Sequence, residues 1–300
     1  MIRKTNILKG YTTATEVKTI DLPVNPLSHL VISLDGYNVT DEATLAEIIA
    51  SINKVEVLHE GKSIVSLESE DLYALNCYLF RNQPMLTQNI ATDNAFRQLN
   101  LIIPFGRHLF DPNECMPATQ KGELTLKLDT TAPAAALDNS TLQIDAVELI
   151  GATPSHVLKS TVRNIVAPGA TGEKDIPLPI GNKYVAILAW LTTFPVTSSH
   201  LYGVLGWKLK KDNIEHVLAY FTTQGLIGEM ATRLPTMPRD IAAFGQVQPA
   251  NYVWIDFDPN SNDDFLINSE GAADMSLTCD YGVNEAMRIS MIELQSISGG

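Results

Sequence analysis

Oxygen-bearing side chains alternate along a short stretch near the end of the chain. Asp256, Asp258, Asn260 and Asn262 occupy every second position, and two further aspartates follow them. Oxygen ligands at alternate positions are typical of a calcium loop, but Ser261 stands where an EF-hand has glycine and the twelfth position has no carboxylate. An EF-hand is therefore excluded. The stretch predicts either an acidic turn between strands or a weak structural calcium site, with a Kd of about 10⁻⁴–10⁻³ M, and we predict no other cofactor.

The histidines and cysteines are too scattered for nucleophilic catalysis or for a zinc site. No His-x-His or His-Glu-x-x-His pair and no Gly-x-Ser-x-Gly motif occurs in the chain. The three cysteines, Cys77, Cys115 and Cys279, are far apart, which predicts buried, inert thiols in a chain folded in a reducing cytoplasm. The sequence therefore predicts no enzyme. We predict a surface or edge position for each of the six histidines, which are His29, His59, His108, His156, His200 and His216.

Three tryptophans offer a different kind of site. Trp190, Trp207 and Trp254 lie in or beside strand-like apolar runs. Such residues are core or interface residues in most β proteins, but exposed aromatic rings could also stack on sugars. A carbohydrate-binding or adhesive tandem β-sandwich, such as a spike or lectin-like module, therefore stays open as an alternative function.

The charge balance excludes nucleic acid as a direct partner. The chain has 21 basic and 34 acidic residues, for a net charge of −13, and no basic stripe. Charged residues make up 18% of the chain, below the roughly 25% of soluble domains, which favours burial of part of the surface against other subunits. The longest apolar run, Tyr184 to Leu191, is too short to span a bilayer. Only the first residues, with Arg3, Lys4 and Lys9, carry local positive charge that could contact anionic lipid.

Four blocks of the sequence occur twice in the same order. An alternating strand-like block is followed in each half by the signature Ile-x-x-(Val/Ile)-Glu-Leu, and both halves open on a Leu-Pro pair before an apolar strand. Their agreement predicts a duplicated domain of about 150 residues. The offsets are 156 residues from Leu22 to Leu178, 152 from Ile103 to Ile255, 151 from Leu126 to Leu277 and 145 from Ile144 to Ile289.

Short helices and hairpins are predicted between these strands. Apolar residues at helical spacing follow Thr40 or Asp41, and a second such run follows Ser69, so we expect these residues as helix caps. A hairpin is predicted around Gly61, and a matching one around Asp212 in the second half. The stretch from Thr222 to Pro249 is predicted to be an insertion of the second half, with short helical pieces such as 239–244.

Many short strands without a βαβ rhythm predict an all-β fold of two tandem eight-stranded jelly-roll β-sandwiches with short helices in the connecting loops. The predicted boundaries are an N-terminal arm at 1–15, a first jelly roll at 16–150, a linker at 151–175 and a second jelly roll at 176–300. The polar arm is predicted to be dispensable for folding and needed for assembly.

The chain resembles the double jelly-roll major capsid proteins of the corticovirus, tectivirus and adenovirus lineage, in particular the small coat proteins of membrane-containing bacteriophages. The residues that carry the resemblance are Leu178 to Asn182 leading into the strand at Tyr184, the turn at 195–199, and the run from Asp111 to Ala118. The resemblance covers nearly the whole chain as topology, but its matching motifs are short.

This resemblance implies a structural virion protein without an active site. Three chains would form a pseudo-hexagonal capsomer, and capsomers would contact one another and minor capsid or penton proteins in an icosahedral shell. The shell would enclose a membrane that the N-terminal arm contacts. Synthesis and assembly in the host cytoplasm follow from the same resemblance.

Overall fold

The structure is a computed structural model that describes residues 1–40, 42–87, 92–194, 201–216, 219–234 and 251–297. The chain divides into two compact units. The main segment of the first unit is Met1–Thr161, and the second unit begins at Val162. Each unit is described separately below.

The first unit is built from two antiparallel sheets that enclose one core. One sheet has the strand order β1-β8-β3-β6 and the other contains β5-β4-β7-β2. In β3, alternate side chains such as Leu30, Ile32 and Leu34 are buried, as the period of two predicts for a sheet with one face on the core. The strands are β1 (Ile2–Thr12), β2 (Glu16–Asp21), β3 (Leu27–Asn38), β4 (Ile52–His59), β5 (Lys62–Glu68), β6 (Phe96–Pro104), β7 (Leu124–Thr130) and β8 (Leu137–Leu149).

The second unit repeats this arrangement. One sheet has the order β10-β17-β12-β13, with β14 also paired to β12, and the other contains β15-β11-β18, with β16 also paired to β11. Strand β9, which crosses the boundary between the units, is the neighbour of β18. The strands are β9 (His156–Ile165), β10 (Gly172–Pro177), β11 (Lys183–Leu191), β12 (Val204–Lys211), β13 (Ile214–Glu215), β14 (Phe221–Thr222), β15 (Tyr252–Asp256), β16 (Ile267–Asn268), β17 (Met275–Tyr281) and β18 (Met287–Ser296).

The strand orders of the two units correspond one to one. The order β2-β7-β4-β5 matches β10-β17-β12-β13, and β6-β3-β8-β1 matches β15-β11-β18-β9. All four sequence blocks that occur twice fall on matching strands of the two units. The duplication and the predicted all-β, double jelly-roll fold are confirmed.

The predicted N-terminal arm at 1–15 is instead mostly a strand of the first sheet. Residues Ile2–Thr12 form β1, which pairs with β8 from Ile2 opposite Leu149 to Thr12 opposite Thr141. The strand lies at the edge of its sheet and buries none of its side chains fully, so its side chains can be polar. The alternation of apolar and polar residues that marks a half-buried strand is therefore weak here. The predicted linker at 151–175 is likewise occupied by β9 and the start of β10.

Three helices lie among the described residues: α1 (Leu45–Ile49), α2 (Ser69–Phe80) and α3 (Thr223–Arg233). The predicted caps are off by one to four residues. Thr44 caps α1 through a capping box with Glu47, and α2 begins after Glu68. Ser69 instead donates its hydroxyl hydrogen bond to the Ile49 carbonyl oxygen.

Helix α3 belongs to the duplication and is not an insertion. It starts 154 residues after α2, an offset close to those of the flanking strands. The predicted hairpins are confirmed at β4–β5 and β12–β13, where Glu60, Gly61, Asp212 and Asn213 have positive φ angles as tight hairpin turns require. The turn at 195–199 and the helical piece at 239–244 lie outside the described residues.

Candidate interaction surface

The chemically reactive side chains are dispersed and mostly buried. All three cysteines are buried and free, as predicted, and burial raises the pKa of Cys77 to about 12 and that of Cys115 to about 11. Burial also holds the pKa of Cys279 well above its usual value. Raised pKa values leave these thiols protonated and inert. Within the described ranges, no three His, Cys, Asp or Glu side chains lie together as a metal site would need.

One histidine prediction is wrong, because His29 is 4% exposed and lies inside the first unit on β3. Its Nδ1 is 2.9 Å from the Ser28 hydroxyl oxygen, and its ring packs edge-on against Phe110 with centroids 5.2 Å apart. Burial, helped by the charge of Lys4, lowers the pKa of His29 to about 4. This histidine is a neutral core residue above that pH. The other described histidines are exposed or half-buried, and His200 lies outside the described residues.

The acidic stretch forms a turn whose oxygens already accept hydrogen bonds. Asp256 pairs with Arg233 through Oδ2, and its Oδ1 accepts the backbone N–H of Asp258 at 2.7 Å. The buried Asp258 carboxylate accepts two backbone N–H groups, from Asn262 and Asp263, each at 3.2 Å. The predicted acidic turn is therefore present, and the carboxylates of Asp256 and Asp258 accept hydrogen bonds from the protein itself. Calcium binding through Asp256, Asp258, Asn260 and Asn262 stays a prediction. A bound calcium ion would compete with Arg233 for the Asp256 carboxylate.

The tryptophans do not form a sugar platform. Trp207 is buried and donates its indole N–H to the Thr223 hydroxyl at 2.9 Å, and Trp254 is also buried. The half-buried Trp190 has the Arg288 guanidinium 4.5 Å from its ring centre, so that face is already occupied. These positions remove the observation that supported a carbohydrate-binding function.

The signature glutamate of each repeat is buried and ties strands together. Glu148 accepts hydrogen bonds from Thr5 of β1 at 2.8 Å and from the Asn25 side chain at 2.6 Å. Its counterpart Glu293 accepts a hydrogen bond from the Asn182 side chain at 3.1 Å. Asn25 and Asn182 occupy the same loop after the Leu-Pro pair of each repeat. Sequence reasoning found the repeated glutamate but did not assign its role. The asparagine that follows the Leu-Pro pair after one residue in the first repeat and after two in the second could have indicated it.

The helices cover one sheet edge in each unit, at equivalent residues. The Asn76 side chain of α2 accepts a hydrogen bond from the Ile102 backbone N–H on β6 and donates one to the Ile102 carbonyl oxygen, each at 2.7 Å. In α3, the Met230 sulfur accepts the N–H of Trp254 on β15 at 3.2 Å. Ile102 and Trp254 are 152 residues apart, the offset of their strands. Covering an edge in this way prevents another strand from adding to it.

The opposite edge of the first sheet is open along β1. Among the residues that the structure describes, β1 pairs with β8 on one side and with no strand on the other. The backbone of Met1 exchanges two hydrogen bonds with Ile150, at 3.0 and 2.9 Å. Because bonding alternates along antiparallel strands, the backbone N–H groups of Ile2 and Lys4 point away from β8. An open polar edge with exposed donors is a site for another strand.

Comparison with solved structures gives the same architecture over whole chains. The chain is similar to the STIV MCP, with a TM-score of 0.72 and 14% identity over 99% of this chain and 97% of that one. It is also similar to the major capsid protein P2 from Bacteriophage PM2, with a TM-score of 0.67 and 17% identity over 99% and 98% of the two chains. The chain has the double jelly-roll fold.

A third similar structure is that of Sulfolobus Turreted Icosahedral Virus, with a TM-score of 0.75 and 13% identity over 98% of this chain and 91% of that one. At these identities the comparisons establish the fold. No family model and no curated protein matches the sequence. In the described part of the chain, no helix has the length and apolarity that crossing a membrane requires.

Proposed function

We propose that this chain is a major capsid protein, a structural virion protein without catalytic activity that forms homotrimers in an icosahedral shell. The observation that carries the proposal is the end-to-end similarity to two major capsid proteins, which covers 97–99% of each chain. A fold alone does not fix a function, so the chain's own surface must agree with this role.

The surface agrees in two respects. A low charged fraction of 18% suits a subunit that is largely covered by its neighbours. Large apolar side chains are also exposed at several described positions in each unit, among them Val17, Phe96, Leu201 and Phe265. Exposed aliphatic and aromatic residues of this number favour contacts with other copies.

The proposed partners are neighbouring capsomers and minor capsid or penton proteins, and the proposed location is the virion, after synthesis in the host cytoplasm. No direct nucleic-acid contact is proposed, because the net charge is −13. Contact of the first residues with an internal membrane is proposed for Lys4 and Lys9, which are exposed, whereas Arg3 lies 3.5 Å from Glu148. Each basic residue near anionic lipid would contribute about 1 kcal/mol.

Electron microscopy of the purified protein tests the proposal. Class averages should show threefold particles with six lobes, two from each chain, and such particles should pack into sheets or shells at high concentration. Particles with only two lobes at all concentrations would overturn the trimeric coat, and sugar-dependent clustering would favour an adhesive role.

A further inference from the structure

A cavity lined by aromatic rings lies in the second unit, between helix α3, strand β15 and the acidic turn that follows β15. Its volume is about 350 Å³, which is within the range of small-molecule sites. Three phenylalanines line it, Phe221, Phe257 and Phe265. Phe221 is 39% exposed and Phe265 is 53% exposed, so a ligand can reach these rings from solvent.

The corresponding helix of the first unit is covered on the side that α3 leaves open. Helix α2 buries nine of its 12 residues, whereas α3 buries three of 11. The positions that contact the sheet edge agree, since Asn76 of α2 and its counterpart Met230 of α3 are both buried. The difference lies beside them, where Leu75 is fully buried and its counterpart Glu229 is exposed. The duplication thus leaves open in α3 a helix face that is a core contact in α2.

The open face has also exchanged apolar residues for acidic ones. Glu229 stands where the first unit has Leu75, and Asp256, at the end of β15, stands where it has Pro104. Both acidic residues line the cavity, and the described residues that line it include no lysine or arginine. Arg233 pairs with Asp256 and lies 3.2 Å from Oε1 of Glu229, so one guanidinium balances only one of two carboxylates. The cavity therefore keeps an excess of negative charge.

The rings and the charge together define the class of ligand. The side chain of Glu229 is 50% exposed, and within the described residues its Oε2 accepts no hydrogen bond, so this oxygen is available to a cation. The faces of the phenylalanine rings also attract positive charge. A primary ammonium brings three N–H donors, which rings satisfy poorly, whereas a fully alkylated ammonium has no donor to satisfy and can pack its methyl groups on the rings. The cavity therefore suits an alkylated ammonium group.

We propose that this cavity is a binding site for a small organic cation that carries an alkylated ammonium group. Phe221, Phe257 and Phe265 contact the alkyl groups, and Glu229 supplies the opposite charge at the rim. The site lies within one unit of one chain, so it does not depend on the proposed assembly of copies.

Binding of choline to the wild-type protein tests the proposal. The matched probe is the uncharged analogue of choline in which a tert-butyl group replaces the trimethylammonium group, so the two ligands have the same shape and differ in charge. Ligand-observed NMR titrations measure both dissociation constants. We expect a Kd on the order of 1 mM or lower for choline, and a Kd about tenfold higher for the analogue, because the analogue loses the attraction of the rings and of Glu229.

Two single variants assign the binding to this cavity. Phe265→Ala should raise the Kd of choline about fivefold, since one ring is lost. Glu229→Gln should lower the preference for choline over its analogue at least about threefold, because it removes charge and keeps shape; a general loss of stability would not change that preference. The control variants are Phe96→Ala, which removes a ring that is 45% exposed in the first unit, and Glu270→Gln, which removes an exposed carboxylate. Both controls should bind choline as the wild type does.

Three results would overturn the site: no measurable binding of choline, equal affinity for choline and its analogue, or affinities that neither Phe265→Ala nor Glu229→Gln changes. A wild-type protein that forms trimers and gives any of these results keeps the proposed function and loses the cation site. A protein that stays monomeric and binds choline as described keeps the site and loses the proposed function.

Discussion

The substitution Thr5→Val should destabilise the first unit, although Thr5 lies in a stretch whose sequence suggested a dispensable arm. The Thr5 hydroxyl donates a hydrogen bond of 2.8 Å to Glu148, whose side chain is 2% exposed. Valine has nearly the same shape and favours strands, so the backbone of β1 is retained and only the donor is lost. The other groups around the carboxylate are Asn25, at 2.6 Å, and Arg3, at 3.5 Å.

The size of the effect follows from the charge and burial of the acceptor. A hydrogen bond to a charged group contributes about 1.5–3 kcal/mol, and water cannot readily replace the lost donor at a buried carboxylate. For a unit of this size, each kcal/mol corresponds to roughly 2–4 °C in Tm, so the expected decrease is roughly 3–12 °C.

Thermal and urea unfolding of the wild type and four variants measures this effect. Thr19→Val on the exposed strand β2 is the matched control and should change the free energy of unfolding by less than about 0.5 kcal/mol. Glu148→Gln, alone and combined with Thr5→Val, completes a double-mutant cycle, in which the Thr5→Val cost should shrink once the charge is absent. If the Tm of Thr5→Val equals that of the wild type, the Thr5 hydroxyl does not stabilise Glu148, and the assignment of β1 as a strand of the first unit is wrong.

Three further predictions concern other parts of the fold. The pKa of His29 is lowered to about 4 in the folded state, so the unfolded state binds more protons below pH 6.5. The free energy of unfolding should therefore decrease by about 1–3 kcal/mol from pH 6.5 to 4. In urea titrations, His29→Gln should make that decrease smaller. Gly106→Ala should lower the free energy of unfolding by at least about 1–3 kcal/mol, since the new Cβ would lie 2.1 Å from a backbone oxygen. Gly228→Ala, where the new Cβ on α3 meets open space, should raise it by about 0.5–1 kcal/mol. Chemical unfolding of both variants should therefore give changes of opposite sign. Calcium at about 5 mM should raise the stability by about 1 kcal/mol if the Kd is about 10⁻³ M, and an unchanged melt, or a shift that survives Asp258→Ala, would remove the site.

The sequence was sufficient to predict the duplication and the sandwich class, because both depend on long-range repetition of apolar patterns. The repeated Ile-x-x-(Val/Ile)-Glu-Leu block falls on β8 and β18, the long strands at the centre of the matching sheets. Inward-facing residues such as Ile144 and Ile289 must be apolar in both units, so the pattern persists.

The edge strands could not be predicted in the same way. A strand such as β1 buries little, so its side chains are free to be polar and its period of two is lost. The match of Lys4-Thr5 with Lys159-Ser160 was present in the sequence but too short to stand out without the strand order. The burial of His29 was equally hidden, since it depends on Phe110 folding over β3 from 81 residues away.

The roles of the acidic turn residues depend on backbone geometry that alternation does not encode. The same Asp-x-Asp-x-Asn pattern suits a calcium loop or a turn in which carboxylates accept backbone N–H groups. The structure shows the second arrangement, with Arg233 of α3 as the partner of Asp256.

The mass of the purified wild-type protein in solution tests the central claim most directly. Multi-angle light scattering over a dilution series should report about three times 32.8 kDa at micromolar concentration, as expected for a trimeric capsid subunit. A stable mass of 32.8 kDa throughout that range would contradict the account.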